Sequence, residues 1–240
     1  MNDDKVLIGQ KKGKEFFRKG DKFIKLYPKD FPREAVYLEA FCQAQLHANG
    51  LAVPVVHDIC EAGGQLSLTM DYIVESREST LEQFIDVTVQ LTKTKIDVFP
   101  RQSDFVDSVL GKSGFSNIVK ANIKKRLKVF SSIPLCICHG DLHQKNIIVD
   151  GSGLVNIIDF EYTTKGNILL DLARTYILYS ICGVYGTAED YICGVCRRIG
   201  YDVSDVRYLI PVAGALHYVI STNAEKKKLL LEYIQQLGNQ

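Results

Sequence analysis

A strong excess of charge of either sign is missing from this chain. Its 240 residues carry 29 Lys and Arg against 28 Asp and Glu, a formal net charge of +1. A general nucleic-acid binder needs surplus cations to displace counterions from phosphates, so no nucleic-acid partner is expected. Also missing is any run of the roughly 20 uninterrupted apolar residues that would span a bilayer, and no membrane partner is expected. Met1 to Lys5 carry charges of both signs and run directly into a short apolar segment, unlike the basic start and long apolar core of a secretory signal. A cytoplasmic location is the expectation. Long Pro, Ser or Gln tracts, internal repeats and low-complexity segments are lacking too. With 46% hydrophobic and 24% charged residues, the chain should fold as one large domain or as two small lobes around a cleft. The seven cysteines, Cys42, Cys60, Cys136, Cys138, Cys182, Cys193 and Cys196, are odd in number and lie mostly in apolar segments. Cys193 and Cys196 form a C-x-x-C with neither a second pair nor a thioredoxin-like strand before it, so buried free thiols are expected, not a zinc or redox site.

What is present begins with β-prone runs at Lys5 to Gly9, Glu15 to Arg18 and Lys22 to Tyr27, separated by the turn-forming stretches 10–14 and 19–21. Pro32 suits the first turn of a helix, along which Leu38, Phe41, Cys42 and Leu46 recur at helical spacing until Gly50. Two more strands are predicted at Val55 to Cys60 and Gln65 to Ile73. Beyond Val74 the pattern turns helical, opening with the capping-box pattern Ser79-Thr80-Leu81-Glu82. Further helices are expected over Phe115 to Phe130, Leu169 to Tyr185, Thr187 to Ile199, Ser204 to Ser221 and Ala224 to Leu237. The lobe boundary is therefore placed after residue 73, giving an N-terminal lobe over 1–73 and a C-terminal lobe over 74–240.

One block among the helices is not helical. His139-Gly140-Asp141-Leu142-His143-Gln144-Lys145-Asn146 is a polar loop after an apolar strand, and Ile147 to Val149 then turn through Asp150-Gly151-Ser152-Gly153 onto Val155 to Ile158, just before Asp159. Asp141, Asn146 and Asp159 thus reach the same end of a small hairpin. Phosphoryl transfer needs this set: a carboxylate to orient and deprotonate a hydroxyl, and two hard oxygen ligands for Mg²⁺.

The pattern H-G-D-L-H-x-x-N followed by I-I-D-F resembles the catalytic and metal-binding segments of the aminoglycoside phosphotransferase and choline kinase superfamily. Phe23-Ile24-Lys25-Leu26 resembles the strand whose lysine contacts the α and β phosphates. Arg33-Glu34 resembles the source of its ion-pairing glutamate, and Asp171-Leu172-Ala173-Arg174-Thr175 the helix opening that follows the metal aspartate. The resemblance implies an α+β, two-lobed, protein-kinase-like fold, with a small antiparallel sheet and one helix in the N-lobe and a mainly helical C-lobe carrying the catalytic hairpin. It implies a small-molecule kinase that moves the γ-phosphoryl of ATP or GTP to a hydroxyl, with Asp141 as catalytic base and Asn146 and Asp159 holding Mg²⁺. Lys25, oriented by Glu34, would bind phosphate beneath a loop containing Gly9 and Gly13. The base would meet main chain at Met70, Asp71, Tyr72 and Ile73. The loop departs from G-x-G-x-x-G, having only those two glycines among Lys11, Lys12 and Lys14.

Two rivals come from other classes. A nucleotide-binding pseudokinase or scaffold would keep the fold without the chemistry, and a metal-dependent hydrolase could use the H-x-D-x-H cluster of His139, Asp141 and His143. A protein acceptor is disfavoured, because the eleven residues between Asp159 and Asp171 leave no room for an activation segment with its A-P-E element. After Asp171 acids and bases nearly balance, which leaves the small-molecule acceptor open among aminoglycosides, sugars, choline and related metabolites.

Overall fold

The computed structural model describes residues 5–238; the charged Met1 to Asp4 of the leader reading lie outside them. Three antiparallel strands, β1 (Val6–Lys11), β2 (Lys14–Lys19) and β3 (Lys22–Leu26), precede helix α1 (Arg33–Ala48) and strands β4 (Val56–Ala62) and β5 (Gln65–Asp71). They form one sheet in the order β1-β2-β3-β5-β4, so the β-β-β-α-β-β reading holds. Lys12 and Gly13 both have positive φ, 53° and 77°, the signature of a two-residue hairpin turn whose twist matches its strands. Tyr27, Val36, Ala40, Leu66, Leu68 and Met70 make the core beneath the sheet, with α1 contributing every third or fourth residue.

The helical part comprises α2 (Leu81–Lys93), α3 (Gln102–Lys112), α4 (Asn117–Val129), α5 (Ile168–Ser180), α6 (Tyr185–Ile199), α7 (Val203–Ile220) and α8 (Ala224–Gly238). The capping box sits one residue later than expected: Thr80 caps Gln83 N–H at 3.2 Å and Gln83 Oε1 accepts from Thr80 N–H at 3.1 Å. α5 stops at Ser180, short of the expected Tyr185, because Gly183 at φ 76° allows a turn in which Val184 N–H bonds Tyr179 C=O at 3.0 Å. α3 was not expected, although Val106, Val109 and Leu110 are its buried side and Pro100 lies just before it. Strand β6 (Cys136–Cys138) pairs with β9 (Thr164–Gly166), and β7 (Ile147–Val149) pairs with β8 (Val155–Ile157) as the expected hairpin. All seven cysteines are free; Cys60 and Cys182 are exposed, not buried as expected.

Two compact units emerge, one from the chain up to Ser79 with Gln144–Tyr162, the other from Thr80–His143 with Thr163 onward. A single crossing after residue 73 therefore does not describe the packing. The β7–β8 hairpin joins the sheet unit for local reasons. Ile157 N–H donates to Ala52 C=O at 2.9 Å, Ser76 N–H donates to Val149 C=O at 2.9 Å, and Arg77 forms a β-bridge with Val149.

Candidate active site

In the sheet unit the chemistry gathers around Lys25. Alternation along β3 puts Phe23 and Lys25 on one face, and on α1 the buried residues Val36, Glu39, Ala40, Gln43 and Leu46 form one stripe. Glu39 thereby meets Lys25. Lys25 Nζ donates to Glu39 Oε1 at 2.7 Å, and Tyr27 O–H donates to Glu39 Oε2 at 2.7 Å. The expected partner Glu34 is exposed in the first turn of α1, more than one turn away and off the buried stripe, so the ion-pair assignment moves from Glu34 to Glu39. Burial alone would push the Lys25 ammonium toward its neutral form, but Glu39 and then Asp159 outweigh it and hold Lys25 charged, above its ordinary range. Burial pushes the Glu39 carboxyl up, against Lys25 and the Tyr27 hydroxyl.

The same ammonium donates to Asp159 Oδ1 at 3.0 Å. Asp159 has φ 65°, a left-handed conformation that costs a non-glycine residue about 1 kcal/mol or more and concentrates at functional sites. Its side chain is 27% exposed, against 6% for Lys25, so this carboxylate is the solvent-facing member of the pair. Asn146 is buried at the end of a 3₁₀ turn (Gln144–Asn146), and its C=O accepts from Ile158 N–H at 3.0 Å. That bond brings Asn146 beside the peptide leading to Asp159, as the hairpin reading requires. Both offer hard oxygens, the donor type Mg²⁺ selects.

The glycine loop is smaller than expected. Gly9 lies within β1 at a register irregularity, where a Cβ would meet Phe16 Cδ2 at 3.4 Å, and Gly13 alone of the pair sits in the turn. The expected base-contact segment overlaps β5. Met70 and Asp71 are inside the strand, Asp71 N–H donates to Val55 C=O at 3.0 Å, and Tyr72 N–H donates to Asp21 C=O at 2.8 Å. Those two donors are committed within the sheet unit. The Asp71 carboxylate is committed as well, accepting from Lys22 Nζ at 3.2 Å and Val55 N–H at 3.2 Å and facing His57 Nε2 at 2.5 Å. Of the four residues, Ile73 alone stands past the strand and past these bonds.

In the helical unit the loop holding Asp141 is fixed by backbone bonds. His139 N–H donates to Asp171 Oδ2 at 2.9 Å and Gly140 N–H to Asp171 Oδ1 at 2.8 Å, with Gly140 at φ 83°. Asp171 lies in the first turn of α5 and is buried; burial pushes its carboxyl up, opposed by Arg174, His139 and the two N–H groups. Thr175 Oγ1 donates to Leu142 C=O at 2.9 Å, closing the loop from the next turn of α5. Asp141 itself is partly exposed while His139 is fully buried. Sequence reasoning placed Asp171 only as a helix opening; the signal for its anchoring role is a carboxylate inside an otherwise apolar helix start, Ile168-Leu169-Leu170-Asp171-Leu172. Among the described residues no group of three or more His, Cys, Asp or Glu side chains could hold a metal ion.

Residues 76–191 match the model of a phosphotransferase enzyme family. A curated relative, an uncharacterized protein of Metamycoplasma hominis, is 33% identical over 64 residues, covering 27% of this chain and 13% of that protein. Among solved structures, a choline/ethanolamine kinase family protein from Mesorhizobium loti aligns with TM-score 0.65 at 17% identity over 99% of this chain and 86% of its own. A thermostable aminoglycoside phosphotransferase in complex with AMP-PNP and hygromycin B gives 0.69 at 11% over 98% and 93%. The ethanolamine kinase of Plasmodium vivax gives 0.68 at 13% over 98% and 82%. Residues 76–191 thus carry the pattern of the phosphotransferase enzyme family, and the chain as a whole has the protein-kinase-like fold shared by aminoglycoside phosphotransferases and choline kinases.

Proposed function

We propose that this protein transfers the γ-phosphoryl of ATP to a hydroxyl group of a small molecule. The observation that carries the reading is the Lys25 ammonium, buried against Glu39 yet also bonded to Asp159, whose left-handed backbone stands beside Asn146 at the base of the hairpin. A buried lysine held charged is suited to triphosphate, and Glu39 fixes its rotamer. Asn146 and Asp159 would hold Mg²⁺, which when bound neutralises phosphate charge. Asp141 orients the acceptor hydroxyl and takes its proton as the new O–P bond forms. The loop bonds to Asp171 keep that carboxylate in place. Ile73 and the chain after it offer main-chain contacts to the base, so GTP stands beside ATP as a donor to be compared. The family match and the AMP-PNP complex of a protein with the same fold support ATP. The acceptor belongs to the class of small hydroxyl compounds: aminoglycosides, amino alcohols such as choline, or sugars. No described helix is long and apolar enough to cross a membrane, and a cytoplasmic setting, where ATP and Mg²⁺ are abundant, is part of the proposal.

The test is ADP release across a panel of hydroxyl compounds, with ATP or GTP and Mg²⁺ and with EDTA as control. Acceptor-dependent, EDTA-sensitive release is expected. Tight nucleotide binding with no release for any acceptor would favour the scaffold reading, and release in EDTA would remove Mg²⁺ from the account.

A further inference from the structure

Lys14, a second buried lysine in the sheet unit, has no place in the function proposed above. It is the first residue of β2, directly after the Lys12-Gly13 turn, and only 5% of its surface is exposed. Phe16 lies opposite Lys25 across β2 and β3, and residues opposite one another share a face. By alternation Lys14 shares it too. Its ammonium lies 4.6 Å from the Phe31 ring centroid and 5.5 Å from that of Tyr27, and it donates to Glu161 Oε2. Two adjacent strands therefore each send one buried lysine onto alternate carboxylates of Asp159-Phe160-Glu161, Lys25 to Asp159 and Lys14 to Glu161, with Phe160 between them only 1% exposed.

We infer that Lys14 is a positioning residue for the metal-binding carboxylate, acting through Glu161 to hold the backbone that carries Asp159. A buried ion pair adds little stability over an apolar replacement of the same volume, so its consequence here is geometric. Asp159 sits in a left-handed conformation that persists only when its surroundings over-determine it. Phe160 in the core fixes one side of that peptide, and the two lysines fix the carboxylates on either side of it. Released from Lys14, Glu161 would be free to rotate, and Asp159 would relax toward ordinary backbone angles and present its oxygens less well to a metal ion. The inference rests on the reading of Asp159 as a Mg²⁺ ligand.

Lys14→Met should speed amide exchange of residues 158–162 in the metal-free protein at least tenfold. In the presence of ADP it should weaken Mn²⁺ binding, read by electron paramagnetic resonance, by roughly 10- to 100-fold, the range for losing an outer partner of a metal ligand. Lys14→Arg should recover most of both. Glu161→Gln should reproduce both losses, and the double variant should be no worse than either single one. Unchanged exchange at residues 158–162, or altered exchange with unaltered Mn²⁺ affinity, would overturn the inference. If Lys14→Met does not fold, Glu161→Gln decides alone: normal exchange or normal affinity there also overturns it. Failure of the wild-type protein to bind Mn²⁺ with ADP would instead sink the metal reading of Asp159, and the exchange comparison would still show whether Lys14 holds the segment.

Discussion

In the sheet unit Lys14, Lys25, Glu39, Asp159 and Glu161 are held by ion pairs between side chains, in a setting where Lys25 and Glu39 are almost wholly buried. In the helical unit the turn around Asp141 is held through its own main chain, by two N–H groups donated to Asp171. The difference teaches what each site tolerates. Charge placement defines the first, where two lysines face three carboxylates, so a neutral isostere at any carboxylate takes an ionic partner from a buried ammonium. Backbone geometry defines the second, and a change confined to the Asp141 side chain leaves the two N–H bonds to Asp171 in place.

The sharpest way to break this contrast is to remove a member of each set. Asp159→Ala should abolish nucleotide turnover, measured by ADP release, while circular dichroism shows a folded protein; substantial activity would show that the metal is held elsewhere. Asp141→Asn keeps size and most hydrogen bonding but cannot take a proton, and transfer should fall by roughly 10² to 10⁴. Calorimetric nucleotide affinity should survive in that variant, since its loop anchors are untouched, and a joint loss of binding and transfer would contradict the division of labour. Within the sheet unit, Glu39→Gln should cost about 3 kcal/mol in denaturant unfolding, as for breaking a buried pair, and raise the KM for nucleotide. Glu34→Gln should stay within about 0.5 kcal/mol of wild type; the reverse order would restore Glu34 as the partner of Lys25. The smallest effect is expected at Asp71. Burial works against its ionisation, but hydrogen bonds with His57 and Lys22 and from Val55 N–H hold its carboxyl below the usual range. Its contribution is therefore present above an unfolded pKa of about 3.9 and lost as pH falls through the lower folded value. Wild type should exceed Asp71→Asn by about 0.5 kcal/mol near pH 6, with the gap closing below pH 4 in thermal unfolding followed against pH. A gap that widens on acidification would contradict the sign.

Legibility in the sequence followed the same divide. Lys25, Asp141, Asn146 and Asp159 could be singled out because phosphoryl transfer calls for those side-chain types at those spacings, and alternation and helical periodicity gave the order of strands and the longer helices. Glu39 was missed because choosing it over Glu34 requires the rotational phase of α1 against the sheet, which is set by Val36, Ala40 and Gln43 packing inward. At the expected base-contact segment the bonds of Asp71 and Tyr72 N–H were not legible, because side-chain identities do not encode which main-chain donors are already taken. Asp171 is a similar case, a side chain whose role lies in the N–H groups it accepts. Lys14 went unread as a positioning residue because its partner Glu161 is 147 positions away. The hairpin 147–157 was legible as a hairpin, but its grouping with the sheet unit rests on bonds to Ala52 and Ser76 that no local pattern reveals.

The central claim is phosphoryl transfer, and following the γ-phosphorus tests it most directly. With [γ-³²P]ATP, Mg²⁺ and a panel of small hydroxyl compounds, label should leave ATP and reappear in a phosphorylated organic product for at least one acceptor, with the wild-type protein and not with Asp159→Ala. Label that stays in ATP throughout while nucleotide binds, or that is released only as inorganic phosphate whichever acceptor is supplied, would contradict the assignment of this site to phosphoryl transfer onto a small-molecule hydroxyl.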